Sequence, residues 1–245
     1  MTVVVRACAL ISLSYGVLLA AGHVSQAQAP SGQPAVASHM TEHFSTAKAM
    51  QEAVIRGDLD DVQKAAKWMA EHEKNAGMPE KAASLLRAMQ GLAKAAAEAT
   101  QMNAAASASA RMAATCGSCH SSLDIKIAMP PKPTPVAATD QASHMRNHQA
   151  AVDYMYHGLT APSDQAWMEG AEALKKTTLS TKQPAADQAA AQKFAALEAR
   201  VHTLADRART VHGTSGRAAI YAELLSGCGE CHGLQGRVIG PGAPK

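Results

Sequence analysis

The sequence predicts an all-α protein built as two tandem four-helix bundles, and three observations carry that expectation. The chain is rich in Ala, Met, Gln, Lys and Glu, while aromatic residues make up only 3% of it. Those are helix formers without the residues that strands favour. Apolar residues recur at intervals of three and four, the spacing of one helix face. The second half also repeats the first. Ala37-Ser38-His39-Met40 returns as Ala142-Ser143-His144-Met145, an offset of 105 residues at which His43 falls on His148 and Met50 on Met155. Trp68-Met69 then pairs with Trp167-Met168 after a small deletion, and Cys116-Gly117-x-Cys119-His120 with Cys228-Gly229-x-Cys231-His232 after an insertion.

Residues 1–27 have the layout of a secretory signal: Arg6, an apolar run from about Ala7 to Ala21, then small residues at Ser25, Ala27 and Ala29. The run is short for a membrane span, so cleavage after Ala27 is expected rather than an uncleaved anchor, and Cys8 leaves with the segment. The first bundle is expected over residues 35–128. Its first helix carries Met40, His43, Ala47, Met50 and Val54 on one face and ends at Gly57. Asp58 is placed to N-cap a second helix with Val62, Ala65, Ala66 and Met69, which stops before Gly77 and Pro79. A third helix begins around Glu80 with Leu85, Met89, Leu92 and Ala96, and a fourth, roughly residues 104–121, holds the cysteines.

Four prolines between residues 129 and 137 forbid a helix there and favour an extended linker. The second bundle follows over residues 138–236. Its third helix shows the clearest stripe, Phe194, Leu197, Val201, Leu204, Ala208 and Val211. Gly213 closes it, Ser215 starts the last helix toward Cys228, and residues 237–245 are expected to form a flexible tail. Bundles filled with Ala and Met are under-packed for their length, and a large flat prosthetic group would fill the space.

The repeated Cys-x-x-Cys-His unit states which group that is. On a helical turn the two thiols lie close enough to add across the two vinyl groups of one haem, and the adjacent histidine lies under the iron. A redox-active disulfide would call for a βαβ pattern that is missing from the sequence. One shared zinc would have to join thiol pairs a domain apart, and plain structural disulfides would not need the histidines. Two covalent c-type haems are therefore expected, on Cys116 and Cys119 and on Cys228 and Cys231, with His120 and His232 as proximal iron ligands.

The other side of each iron is open to two candidates in each half. His43 and His148 are distal candidates because a histidine on an apolar stripe needs a partner for its ring nitrogens. Met40 and Met145 are the alternatives, a methionine on such a stripe also serving as core filler. His39 and His144 are expected near helix starts and exposed. His72, His157, His202 and His212 do not align between the halves and are expected at the surface. Trp68 and Trp167 are expected in the core or at a haem edge.

These features resemble the class II cytochromes c, the cytochrome c-prime group and its low-spin relatives. The resemblance rests on CGSCH and CGECH near the end of each half, on HMTEHF in the first helix and on the Gly-ended turn VIRGDLDD. It implies four-helix bundles with the haem attached on the last helix and the first helix facing its distal side. There the family supplies a methionine ligand in electron carriers, or an apolar side chain that leaves the iron open to small gases. The family is usually single-domain, whereas this chain is a tandem fusion, and it sets His beside Met at the distal position. The family's habit of pairing bundles implies an internal pseudo-dimer.

The expected function is a periplasmic di-haem electron-transfer protein, not an enzyme, that exchanges electrons with redox partner proteins. The alternative is a gas-binding or gas-sensing protein of the cytochrome c-prime kind, with a di-haem peroxidase further behind. Lys and Arg number 23 against 20 Asp and Glu, a balance that gives no basis for nucleic acid as a partner. No membrane span is expected in the mature chain.

Overall fold

The computed structural model describes residues 33–72, 77–177 and 188–239; the expected signal segment lies outside them. Among the described residues the regular structure is helical, with no strand. The first half consists of α1 (Gln33–Arg56), α2 (Leu59–Glu71), α3 (Ala83–Ala97) and α4 (Met102–Ser122). The second consists of α5 (Gln141–Thr160), α6 (Asp164–Lys176), α7 (Gln188–Ala208) and α8 (Thr214–Ile239). None of these helices is long and apolar enough to cross a membrane.

Local chemistry sets the ends. Gly57 turns the chain at φ 73°, a conformation open to glycine without a Cβ penalty. Asp58 then caps α2, its carboxylate accepting the Asp61 N–H at 3.0 Å. At α5, Asp140 and Ser143 satisfy one another's backbone donors in a capping box. Helix α3 starts differently from expectation: one 3-10 turn, Glu80–Ala82, follows Pro79 and no side chain caps it. Helix α7 ends at Ala208, so Val211 packs on the core from the connection to α8. Helix α8 continues through Ile239, so residues 237–239, expected in the tail, are helical.

Residues 125–138 join the halves without a helix. They are fastened to the second half by the Asn147 amide, which donates to the Val136 carbonyl at 2.7 Å, and by the Lys132–Glu169 ion pair at 3.0 Å.

Within each half, sequential helices pack on one another, and between the halves α4 lies along α8, α1 against α8, and α4 against α5. Helix α4 makes this arrangement through small side chains, burying Ala105, Ala106, Ala108, Ala110, Ala113, Ala114 and Gly117. Backbones approach closely where side chains are that small. The apolar core is one contiguous cluster containing residues of both halves. A buried polar group crosses it: Gln51 Nε2 donates to Tyr221 Oη at 2.9 Å, and Tyr221 Oη donates to the Val152 carbonyl at 3.1 Å.

The two tryptophans occupy unlike places. Trp167 is wholly buried and donates to the Ala208 carbonyl at 2.8 Å, whereas Trp68 is 36% exposed. Of the two places expected for these residues, the core or a haem edge, Trp167 takes the core, whereas Trp68 lies at the rim of α2 over His72.

Candidate cysteine–histidine cavity and histidine clusters

Positions 228, 231 and 232 lie three and four residues apart on α8, so Cys228, Cys231 and His232 share one face of the helix. That face lines a cavity of about 400 Å³. Helix α5 contributes Met145, His148 and Val152 to its walls, α7 contributes Leu197, Glu198 and Val201, and α1 reaches across with Ile55. Five residues singled out in the sequence for the second half thus meet at one cavity. The surface it exposes is mostly apolar, with Arg146, Gln149 and Glu198 as further polar groups at its wall, a mixture typical of ligand pockets of this size.

All four described cysteines are free. Burial pushes the Cys116 and Cys228 thiols up to about 12 and the Cys231 thiol to about 11. Redox-active dithiols and zinc thiolates depend on the opposite shift, toward the thiolate.

In the first half Cys119 is buried and Cys116 is half-buried. His120 is held through Nδ1, which lies 2.7 Å from the Thr160 carbonyl at the end of α5. A carbonyl only accepts, so Nδ1 carries a proton and donates it to this bond.

The glycine inside each motif is packed just as tightly. A Cβ on Gly117 would collide with the Leu159 carbonyl, and one on Gly229 would meet the Val54 carbonyl at 2.7 Å. Leu159 is Val54 displaced by the 105-residue offset of the repeat. Each Cys-Gly-x-Cys-His unit is thus pressed against the end of the other half's first helix.

Two further groups surround the expected distal side chains. In the second half the Glu198 carboxylate lies 2.9 Å from His144 Nε2, 3.2 Å from His202 Nε2 and 3.7 Å from His148 Nε2. Burial alone would raise the Glu198 carboxyl, but the His144, His202 and His148 imidazoles beside it outweigh that and hold the group well below the usual carboxylate range. His202 is raised in turn, first by its hydrogen bond to Glu198. His148 is instead lowered to about 4, chiefly by burial, with His144, His202 and His232 adding to the effect. Its Nε2 is buried without a hydrogen-bond partner.

In the first half His39, His43 and His72 bring their ligating atoms within 4.8 Å of one another. Burial, then the neighbouring His39 and His72, lower His43 to about 4.

These clusters correct several expectations. His39 is 8% exposed and His144 is wholly buried, because both face neighbouring helices and not solvent. His72 and His202 join the clusters and are not isolated surface groups. Sequence reasoning missed Glu198 altogether. It comes from α7, has no counterpart at the repeat offset, and only the packing of α7 on α8 brings it to the cavity. No protein-family model, curated protein or solved structure matches the chain.

Proposed function

We propose that the protein is a di-haem c-type cytochrome of the periplasm that carries electrons between redox partner proteins. One haem would be attached through Cys116 and Cys119 with His120 beneath it, the other through Cys228 and Cys231 with His232. The observation that carries this reading is the cavity at which Cys228, Cys231 and His232 on α8 meet Met145 and His148 on α5. The residues fit the group: two neutral thiols, an imidazole and an aliphatic wall surround a space of about 400 Å³. A bound haem would supply a one-electron iron couple, with a potential set by its axial ligands and surroundings.

The chain's own residues orient and insulate that group. His120 donates its Nδ1 proton to the Thr160 carbonyl, which fixes the ring and raises its basicity as a ligand. Ile55, Val152, Leu197 and Val201 form an apolar part of the cavity wall, which would limit the reorganisation that accompanies a change of charge there. Of the two distal candidates in the second half, His148 is favoured over Met145, because its imidazole is neutral near pH 7 and its buried Nε2 has no hydrogen-bond partner.

The same reading makes the two halves an internal pseudo-dimer, and two observations support it. The reciprocal contacts of Gly117 and Gly229 are related by the repeat offset. Lys48 and Asp153 occupy equivalent positions in the repeat and form an ion pair at 2.7 Å, as residues near a two-fold axis meet their own copies.

A second reading has one specific observation behind it. If Glu198 keeps His144 and His148 in its own cluster, neither histidine would be available to a haem held by His232, and the protein would bind small gases. Optical and electron paramagnetic resonance spectra of the exported protein, with and without carbon monoxide, separate the two. The carrier predicts low-spin spectra that carbon monoxide leaves unmoved. A high-spin fraction that takes up carbon monoxide would replace it with the gas-binding reading.

A further inference from the structure

The His39, His43 and His72 group does not depend on the Cys-x-x-Cys-His units. His39 and His43 are one turn apart on α1, the i, i+4 spacing by which two histidines on one helix face grip a single ion. His72 arrives from the far end of α2, where its backbone N–H donates to the Trp68 carbonyl at 2.8 Å and its ring stacks on the Trp68 indole at 3.9 Å. The three ring centroids lie 4.2, 5.0 and 5.3 Å apart. One buried nitrogen in this packing is left unsatisfied: His43 is 8% exposed and its Nε2 has no hydrogen-bond partner among the described residues.

We propose that His39, His43 and His72 form a binding site for a divalent transition-metal ion such as zinc. The ligating atoms already lie within 4.8 Å of one another. Tetrahedral zinc with bonds of about 2.1 Å needs them about 3.4 Å apart, an adjustment within the reach of side-chain torsions. Three imidazole ligands leave a fourth position for water. Glu42 stands 3.5 Å from His72 Nε2, where it acts as the outer carboxylate that orients a metal-bound imidazole.

The second half supplies the contrast. It keeps both α1-type histidines as His144 and His148, but its third member is Glu198, which already engages His144 and His202. That group is gathered around its own carboxylate, whereas the first, among the described residues, brings three imidazoles together. With His43 on the metal, Met40 is left as the distal candidate of the first half, so the two halves carry unlike ligands despite their matching motifs.

The test is equilibrium dialysis of the full-length exported protein, stripped with a chelator, against zinc, with bound metal read by atomic emission. Haem content is read by absorbance on the same samples, so failure of the metal site and failure of the haem reading are separable. The wild-type chain should retain one zinc. His72→Gln, at a residue whose side chain is 22% exposed, should weaken binding at least tenfold with unchanged helical circular dichroism, and His202→Gln should leave it unchanged. No retained zinc, or equal retention by His72→Gln, overturns the proposal. So does a His43→Ala variant that changes the low-spin spectrum while zinc retention stays at the wild-type level.

Discussion

Single residues at the helix crossings carry much of the arrangement. Gly117 and Gly229 sit where a methyl group has no room, against backbone that cannot swing away. Gly117→Ala and Gly229→Ala should each lower stability by about 1–3 kcal/mol. Gly91, with nothing within 4 Å of its would-be Cβ, should behave oppositely, gaining about 1 kcal/mol as Gly91→Ala from helix propensity alone. Denaturant midpoints of the three variants check the contrast. The cysteines and the histidines of the two recurring motifs could be picked out of the sequence because they sit in short patterns that return at matching places. Glu198 and His72 were not legible, since each reaches its cluster from another helix at a spacing with no local meaning.

The buried histidines also set a pH dependence. Folding lowers His43 and His148 from 6.5 to about 4, so the folded chain excludes protons that the unfolded chain binds. Their contribution is fully present above about pH 6.5 and is lost as pH falls toward 4. Glu198, held low, adds to the loss at still more acid pH. His202, raised, slopes the other way, its contribution present below about 6.5 and fading as pH rises through its folded value. The melting temperature of the metal-free and haem-free chain should hold near neutrality and drop between pH 6.5 and 4. A flat profile across that interval would show that these rings are solvated.

Among the elements, α2 was the easiest to foresee and α3 the least. Gly57 and Asp58 are adjacent punctuation with separate physical jobs, a left-handed turn and a side-chain cap. Asp58→Ala should cost about 1 kcal/mol by removing the acceptor for the Asp61 N–H, read as a shift in thermal midpoint. Helix α3 has no capping side chain and enters through a 3-10 turn after Pro79, and proline marks a boundary without fixing the type of helical turn beyond it. Helix α4 hid its partners for another reason. It is alanine on most sides, so its sequence shows no single apolar stripe, and the structure uses that by packing it against α3, α8 and α5.

For the whole molecule, the repeat was visible as a 105-residue offset, but not the way its copies meet. The sequence suggested two bundles on a proline linker; the structure has one apolar cluster with residues of both halves, crossed by the Lys48–Asp153 pair. Lys48→Asp should place two carboxylates together and cost about 1–3 kcal/mol, and adding Asp153→Lys should restore at least half of it. Additive losses in that cycle would mean that the pair does not join the halves.

The claim on which the functional account rests is covalent attachment at both motifs. Its most direct measurement is the intact mass of the exported chain under denaturing conditions. The account predicts the chain plus two haems, falling to one in a Cys228→Ala/Cys231→Ala variant. A mass equal to the bare chain, with all four thiols open to alkylation, would contradict it.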